Sequence, residues 1–196
     1  MNLTSPEEDD RKDMARLVQG HDASLNDLME RHGQALFHYL LRSLQDEQDA
    51  ADLAQETFAK VYLHRTKFDP AQKFTTWLYA IASNLVRDRY RWRSRHPQTS
   101  LDTGDSRSEH DFKGTLRAVE AAPDQTLQAE EQAEAVRKAI ALLPEELREP
   151  LILSVYQELP QADIAAILNC SVKAVETRIY RARRQLRELL SSCLSA

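Results

Sequence analysis

At 196 residues the chain has room for one domain or two small ones, and its 4 glycines, 7 prolines and long stretches of Ala, Leu, Glu, Gln and Arg favour an all-α fold. The formal net charge of -5 hides two basic blocks: residues 61–95 hold 8 Lys+Arg against 2 Asp+Glu, and residues 171–196 hold 6 against 2. Such asymmetry fits two separate polyanion contacts in a chain whose acidic surfaces are free for a protein partner. Cys170 and Cys193 have no CxxC spacing or accompanying histidine, which excludes a recognisable zinc site and a disulfide framework. No apolar run approaches the roughly 20 residues of a membrane span, so a cytoplasmic protein without membrane insertion is expected.

Ser5-Pro6-Glu7-Glu8 predicts a first helix, with Ser5 as cap, Pro6 in the first turn and Glu8 closing a capping box; Gly20 is the expected stop. A second helix from about Asp22 places Leu25, Leu28, Met29, His32, Ala35, Leu36, Tyr39 and Leu40 at the spacing of one buried face. His32 reads there as a hydrogen-bonded boundary residue. A third helix from about Asp46 sets Ala50, Leu53, Ala54, Thr57, Phe58, Val61 and Tyr62 against an acidic surface of Asp49, Asp52, Gln55 and Glu56. Phe68-Asp69-Pro70 interrupts the pattern, because proline disfavours helix at the residue before it. The fourth helix, about 74–93, carries an apolar stripe of Phe74, Trp77, Leu78, Ile81, Ala82 and Leu85.

From about 96 to 124 the sequence turns to Ser, Thr, Asp and Gly, too poor in apolar residues to offset the entropy of ordering, and predicts a flexible linker. Helical periodicity resumes in 125–196 and restarts after Pro144 and after Pro160. Two small helical domains, 1–95 and 125–196, are the expected organisation.

The carboxy-terminal signal is a helix-turn-helix. Ile164, Ala165 and Leu168 form a short apolar face, Asn169 can take the left-handed turn, Ser171 can cap, and Val172, Val175 and Ile179 should pack the next helix back. Its other face shows Lys173, Glu176, Thr177, Tyr180, Arg181 and Arg184, side chains suited to base edges and phosphates. A solvated basic helix is the plainer alternative. Arginines from Arg87 to Arg95, interleaved with Tyr90 and Trp92, suit phosphate contact with stacking on unpaired bases, although helix-end cations at a membrane surface or a structural role read equally from composition. Asp49, Asp52 and Glu56 share a helical face, but no second helix offers the ligands that two-metal catalysis needs; no metal, cofactor or catalytic residue is expected.

These segments resemble the sigma factors of the extracytoplasmic-function (ECF) group. The stretch from Asp49 to Phe58 is similar to region two-point-two, which docks on the clamp helices of the largest subunit of core RNA polymerase. Phe74 to Leu85 is similar to regions two-point-three and two-point-four, which melt and read the minus-ten element. Leu143 to Arg148 and Ser171 to Arg183 resemble region four, which reads the minus-thirty-five element and meets the flap of the second-largest subunit. The resemblance implies a non-enzymatic specificity subunit that directs core polymerase to stress- or signal-controlled promoters, with an anti-sigma factor as a further partner. It assigns polymerase binding to Asp49, Asp52, Gln55 and Glu56, and minus-ten DNA to Asn84, Arg87, Tyr90 and Arg91, with Asn84 facing an extruded base near the Phe68–Lys73 loop. Minus-thirty-five DNA falls to Lys173, Glu176, Thr177, Tyr180, Arg181 and Arg184. A stand-alone helix-turn-helix repressor is the competing class, and it leaves the motifs of residues 1–95 without a role.

Overall fold

The computed structural model describes residues 5–96 and 123–194, so the linker expected over 96–124 lies, apart from its edges, outside the described residues. The described residues form eight α-helices and one short 3-10 turn: α1 (Pro6–Val18), α2 (Ala23–Leu44), α3 (Glu47–Leu63), the turn (Arg65–Lys67), α4 (Phe74–Arg95), α5 (Pro123–Ala141), α6 (Glu145–Val155), α7 (Gln161–Leu168) and α8 (Val172–Leu194). The fold is all-α, as the composition predicts.

Local chemistry sets the helix ends. Pro6 occupies the first turn of α1, where its missing N–H is harmless, and Glu7, Glu8 and Asp9 complement the positive end of the helix dipole. The capping box does not form: Ser5 contributes its carbonyl, which accepts from the Glu8 N–H at 2.8 Å, and no side-chain cap. Gly20 follows the end of α1 at φ 94°, a conformation that favours glycine. Asp46 caps α3 with its carboxylate accepting from the Asp49 N–H at 2.8 Å. Between α3 and α4 the Asp69 carboxylate accepts from the Ala71 N–H at 2.9 Å, the Asx geometry that turns the chain around Pro70.

Helices α1–α4 enclose Met14, Leu17, Leu28, Leu36, Tyr39, Leu40, Leu53, Val61 and Leu78, all nearly inaccessible to solvent. Each such side chain contributes about 1.5–3 kcal/mol by leaving water. The buried stripe of α2 is narrower than its sequence spacing implies, since Met29 and Ala35 face outward. Helices α5, α6 and α8 close a second, smaller cluster around Leu143, Leu147, Leu151 and Ala182. The larger core does not stop at the first group: Ile152, Leu153, Ile164, Ile167, Leu168, Val175 and Ile179 continue it, as α6 packs on α2 and α7 on α4.

Candidate polymerase and nucleic-acid interfaces

On α3, Asp52, Gln55 and Glu56 are exposed on the side opposite the buried Ala50, Leu53 and Phe58. Asp49 stands apart from them. Its side chain is only 14% exposed, and its carboxylate accepts from the guanidinium groups of Arg89 and Arg93 on α4. Arg93 also reaches Asp46 at 3.3 Å, so the start of α3 is tied electrostatically to the end of α4.

That tie divides the arginine-rich block. Arg89 and Arg93 are turned toward α3, whereas Asn84, Arg87 and Arg91, three and seven residues apart, share another face. Asn84 is exposed, which removes the alternative of a buried structural amide; its Oδ1 accepts from Arg87 Nη2 at 3.0 Å. Arg87 Nη2 also donates to the buried Ser83 hydroxyl at 3.1 Å. Arg91 pairs with the exposed Asp88 at 3.3 Å, an ion pair of little energetic weight in water. Trp92 is exposed and stacks on His96 with ring centroids 5.0 Å apart. Tyr90 is half-buried and engaged: its hydroxyl donates to the Ser43 carbonyl and accepts from Arg148 Nη1 at 2.8 Å. Burial pushes the Tyr90 phenol above its ordinary range, so it remains protonated at neutral pH.

The loop before α4 is held from both sides. Phe68 packs its ring against Phe74 and Trp77, while Arg11 of α1 donates to the Pro70 carbonyl at 3.1 Å. His32 is a boundary residue as expected, with Nε2 2.7 Å from the Asp10 carboxylate.

The helix-turn-helix is built as its sequence predicts. Asn169 adopts φ 50° and ψ 52°, the Cys170 N–H reaches the Ala165 carbonyl at 3.0 Å, and the Asn169 N–H reaches that of Ala166 at 3.3 Å, a Schellman closure. Ser171 Oγ then accepts from the Ala174 N–H at 3.2 Å and starts α8. Val175 and Ile179 are buried against the preceding helix, but Val172 is exposed because it enters the first turn beyond the contact. Lys173, Glu176, Thr177, Tyr180, Arg181 and Arg184 all face solvent, with Tyr180 68% exposed. Arg178 lies on the other side, 3.7 Å from Cys170 Sγ, and the Cys193 side chain falls outside the described residues.

The description "Sigma-70 region 2" matches residues 28–96 and "Sigma-70, region 4" matches residues 133–186. The RNA polymerase sigma factor CnrH of Cupriavidus metallidurans is 32% identical over 188 residues, covering 96% of this chain and 97% of that protein. The chain belongs to the ECF sigma factors. The ECF RNA polymerase sigma factor SigW of Bacillus subtilis is 30% identical over 181 residues, 92% of this chain and 96% of SigW. The solved structure of CnrH in complex with the cytosolic domain of CnrY superposes with a TM-score of 0.68 at 29% identity, covering 94% of this sigma factor and 98% of CnrH.

Residues that sequence reasoning missed lie where the two helical groups of the sigma factor meet: Tyr39, Ser43, Arg148 and Glu149. The available signal was Glu149 itself, a carboxylate placed directly before the apolar run from Pro150 to Leu153.

Proposed function

We propose that this sigma factor engages core RNA polymerase through the exposed α3 face of Asp52, Gln55 and Glu56, against the clamp helices of the largest subunit, with the carboxy-terminal helices meeting the flap of the second-largest. Asp49 serves this surface from behind by fixing α3 against α4. Residues 1–95 and 125–196 act as the two functional domains and 96–124 as their connection. Asn84 receives an extruded minus-ten base while Arg87, Tyr90 and Arg91 hold the adjoining strand, and Lys173, Glu176, Thr177, Tyr180, Arg181 and Arg184 read minus-thirty-five duplex. The protein works in the cytoplasm, without a catalytic step, metal or cofactor of its own. A protein partner that competes for these faces, an anti-sigma factor as the family resemblance implies, is the proposed control; the likeness to CnrH, which binds the cytosolic domain of CnrY, supports it.

The observation that carries this reading is Asn84, exposed one turn before Arg87 and Arg91 on a single face of α4, in a chain whose second group presents a free recognition helix. An amide offers one donor and one acceptor to a base edge, and the arginines supply phosphate contacts. The test is binding to core polymerase. The purified chain should form a stoichiometric complex, and Asp52→Arg should weaken it by several kcal/mol through like-charge or unpaired contact, with little change in thermal stability because the site is exposed. Unchanged affinity would remove this face from the interface.

A further inference from the structure

The loop from Phe68 to Lys73 joins the short turn after α3 to α4, and its residues beyond Phe68 are exposed. Exposed backbone keeps one shape only where something fixes it, because each residue left free retains its conformational entropy. One peptide plane in this loop is held at both polar edges. The Pro70 carbonyl accepts from Arg11 Nε on α1 at 3.1 Å, and the Ala71 N–H on the opposite edge donates to the Asp69 carboxylate at 2.9 Å. The proline ring restricts φ at the same place, so ring, Arg11 and Asp69 together set the orientation of the Pro70–Ala71 plane.

Helix α1 supports the rest of the loop as well. The turn Arg65–Lys67 packs against it. Lys73, at the foot of α4, pairs with Glu7 of α1 at 3.4 Å and with Asp163 of α7 at 3.3 Å. Asp10, 2% exposed, meets His32 Nε2 at 2.7 Å; the His32 ring lies on Phe74 with centroids 5.2 Å apart, and Phe68 packs on both Phe74 and Trp77. Surface ion pairs such as that of Lys73 are weak singly. Entry, apex and exit of the loop are nonetheless all referenced to one helix. The loop also stands in line with Asn84. Trp77, Asn84 and Arg91 recur at seven-residue spacing along one face of α4, which puts Asn84 about 10 Å along the helix from the tryptophan that holds Phe68.

We propose that Arg11 is a positioning residue for minus-ten recognition: by clamping the Pro70–Ala71 peptide opposite Asp69, it makes α1 the platform that fixes one wall of the base pocket and sets how strictly one minus-ten base is chosen. The positioning role rests on reading Asn84 and the Phe68–Lys73 loop as the place that receives an extruded base; the clamp does not. Arg11 acts through shape, since the groups of a pocket discriminate only while they are held within about 0.5 Å of their working places.

The experiment uses holoenzyme assembled from the full chain and core polymerase, with a pool of duplex DNA randomised over both promoter elements from which open complexes are recovered and sequenced. Arg11→Ala should reduce the base preference at one minus-ten position about tenfold, while the other positions and the minus-thirty-five element keep theirs within about twofold. Asp69→Ala should relax the same position, and the double variant should relax it no further than the stronger single one, because both side chains hold one peptide. In the free chain, solvent-exchange nuclear magnetic resonance should show the Ala71 amide exchanging faster in Arg11→Ala, with an unchanged melting temperature because Arg11 is exposed. An unchanged Ala71 amide overturns the clamp. A uniform loss over all sequences with a shallower salt dependence makes Arg11 a phosphate contact and overturns the positioning role. Asn84→Ala, selected on the same pool, separates the two readings. If it alters the minus-ten profile and Arg11→Ala does not, the positioning role fails and the base pocket stands. If neither alters it, the pocket reading fails and takes the positioning role with it.

Discussion

The two surfaces proposed to meet DNA are prepared in opposite ways. On α8 the side chains assigned to the minus-thirty-five element by that proposal point into solvent from a helix fixed beneath by Val175 and Ile179, and their interactions are local, such as Lys173 with Glu176 at 3.0 Å. On α4 the counterparts are already in use: Arg87 bonds Ser83 and Asn84, and Tyr90 bonds Ser43 and Arg148. A helix that enters an intact major groove needs only rigid placement. A surface that stabilises separated strands must compete with base stacking, and side chains already held in place lose less freedom when they meet a strand.

Crossed substitutions give the largest effects that bear on this contrast. Arg181→Ala should weaken minus-thirty-five duplex binding by about 1–3 kcal/mol if the guanidinium reads a base, and leave melting untouched; a phosphate role would instead weaken all sequences alike and reduce the salt dependence. Asn84→Ala should do the reverse, lowering open-complex formation and relaxing preference at one minus-ten base by about 1–3 kcal/mol, in transcription from promoters varied at each position. Because Asn84 is exposed, its loss should change stability by less than about 0.5 kcal/mol. An unaltered preference profile with lowered thermal stability would count against the role.

A smaller effect sharpens the contrast from behind α4. Asp46→Ala removes the cap of α3 and one partner of Arg93, and should destabilise the amino-terminal group by about 1 kcal/mol in chemical denaturation while sparing α8. Equal loss in both groups would show that they unfold as one unit.

The gentlest probe is pH. Burial raises the Glu149 carboxyl above its ordinary value, and burial together with the Glu149 charge raises Glu145. The groups facing Glu149 are Tyr39 from α2, Arg87 from α4, Arg178 from α8 and Glu145 and Tyr90 beside it. Of these, Tyr39 and Tyr90 are raised by burial and stay protonated. A carboxyl whose folded-state value is raised contributes stability most below its ordinary value of about 4.5, and that contribution fades as pH climbs through the raised value. Measured against Glu149→Gln in chemical denaturation, the unmutated chain should therefore gain stability from pH 7.5 to pH 5. A relative stability that falls in acid would contradict this sign.

The helices were legible because apolar spacing, proline and caps are local signals: Asn169 in the left-handed turn, Ser171 as cap and the break at Pro70 all stand where the sequence places them. The outward positions of Met29, Ala35 and Val172 were not, since a three-four spacing marks a stripe without fixing its width. The engagement of Asp49 was hidden for a different reason. Its partners Arg89 and Arg93 are 40 and 44 residues away, and charge periodicity on α3 alone cannot distinguish a solvent face from one turned toward a neighbouring helix. The bond from Tyr39 to Glu149 spans 110 residues and two separate helical groups, beyond the reach of any local pattern.

Helix α7 packs on two sides at once, against α8 to form the helix-turn-helix and against α4 across the boundary between the groups. Eight residues long, it shows Gln161 and Asp163 at its outer edge and buries Ile164, Ile167 and Leu168. Separating the two groups would bare these side chains to water, at about 25 cal/mol for each Å² of apolar surface uncovered. One short helix thus makes the integrity of each group depend on the presence of the other.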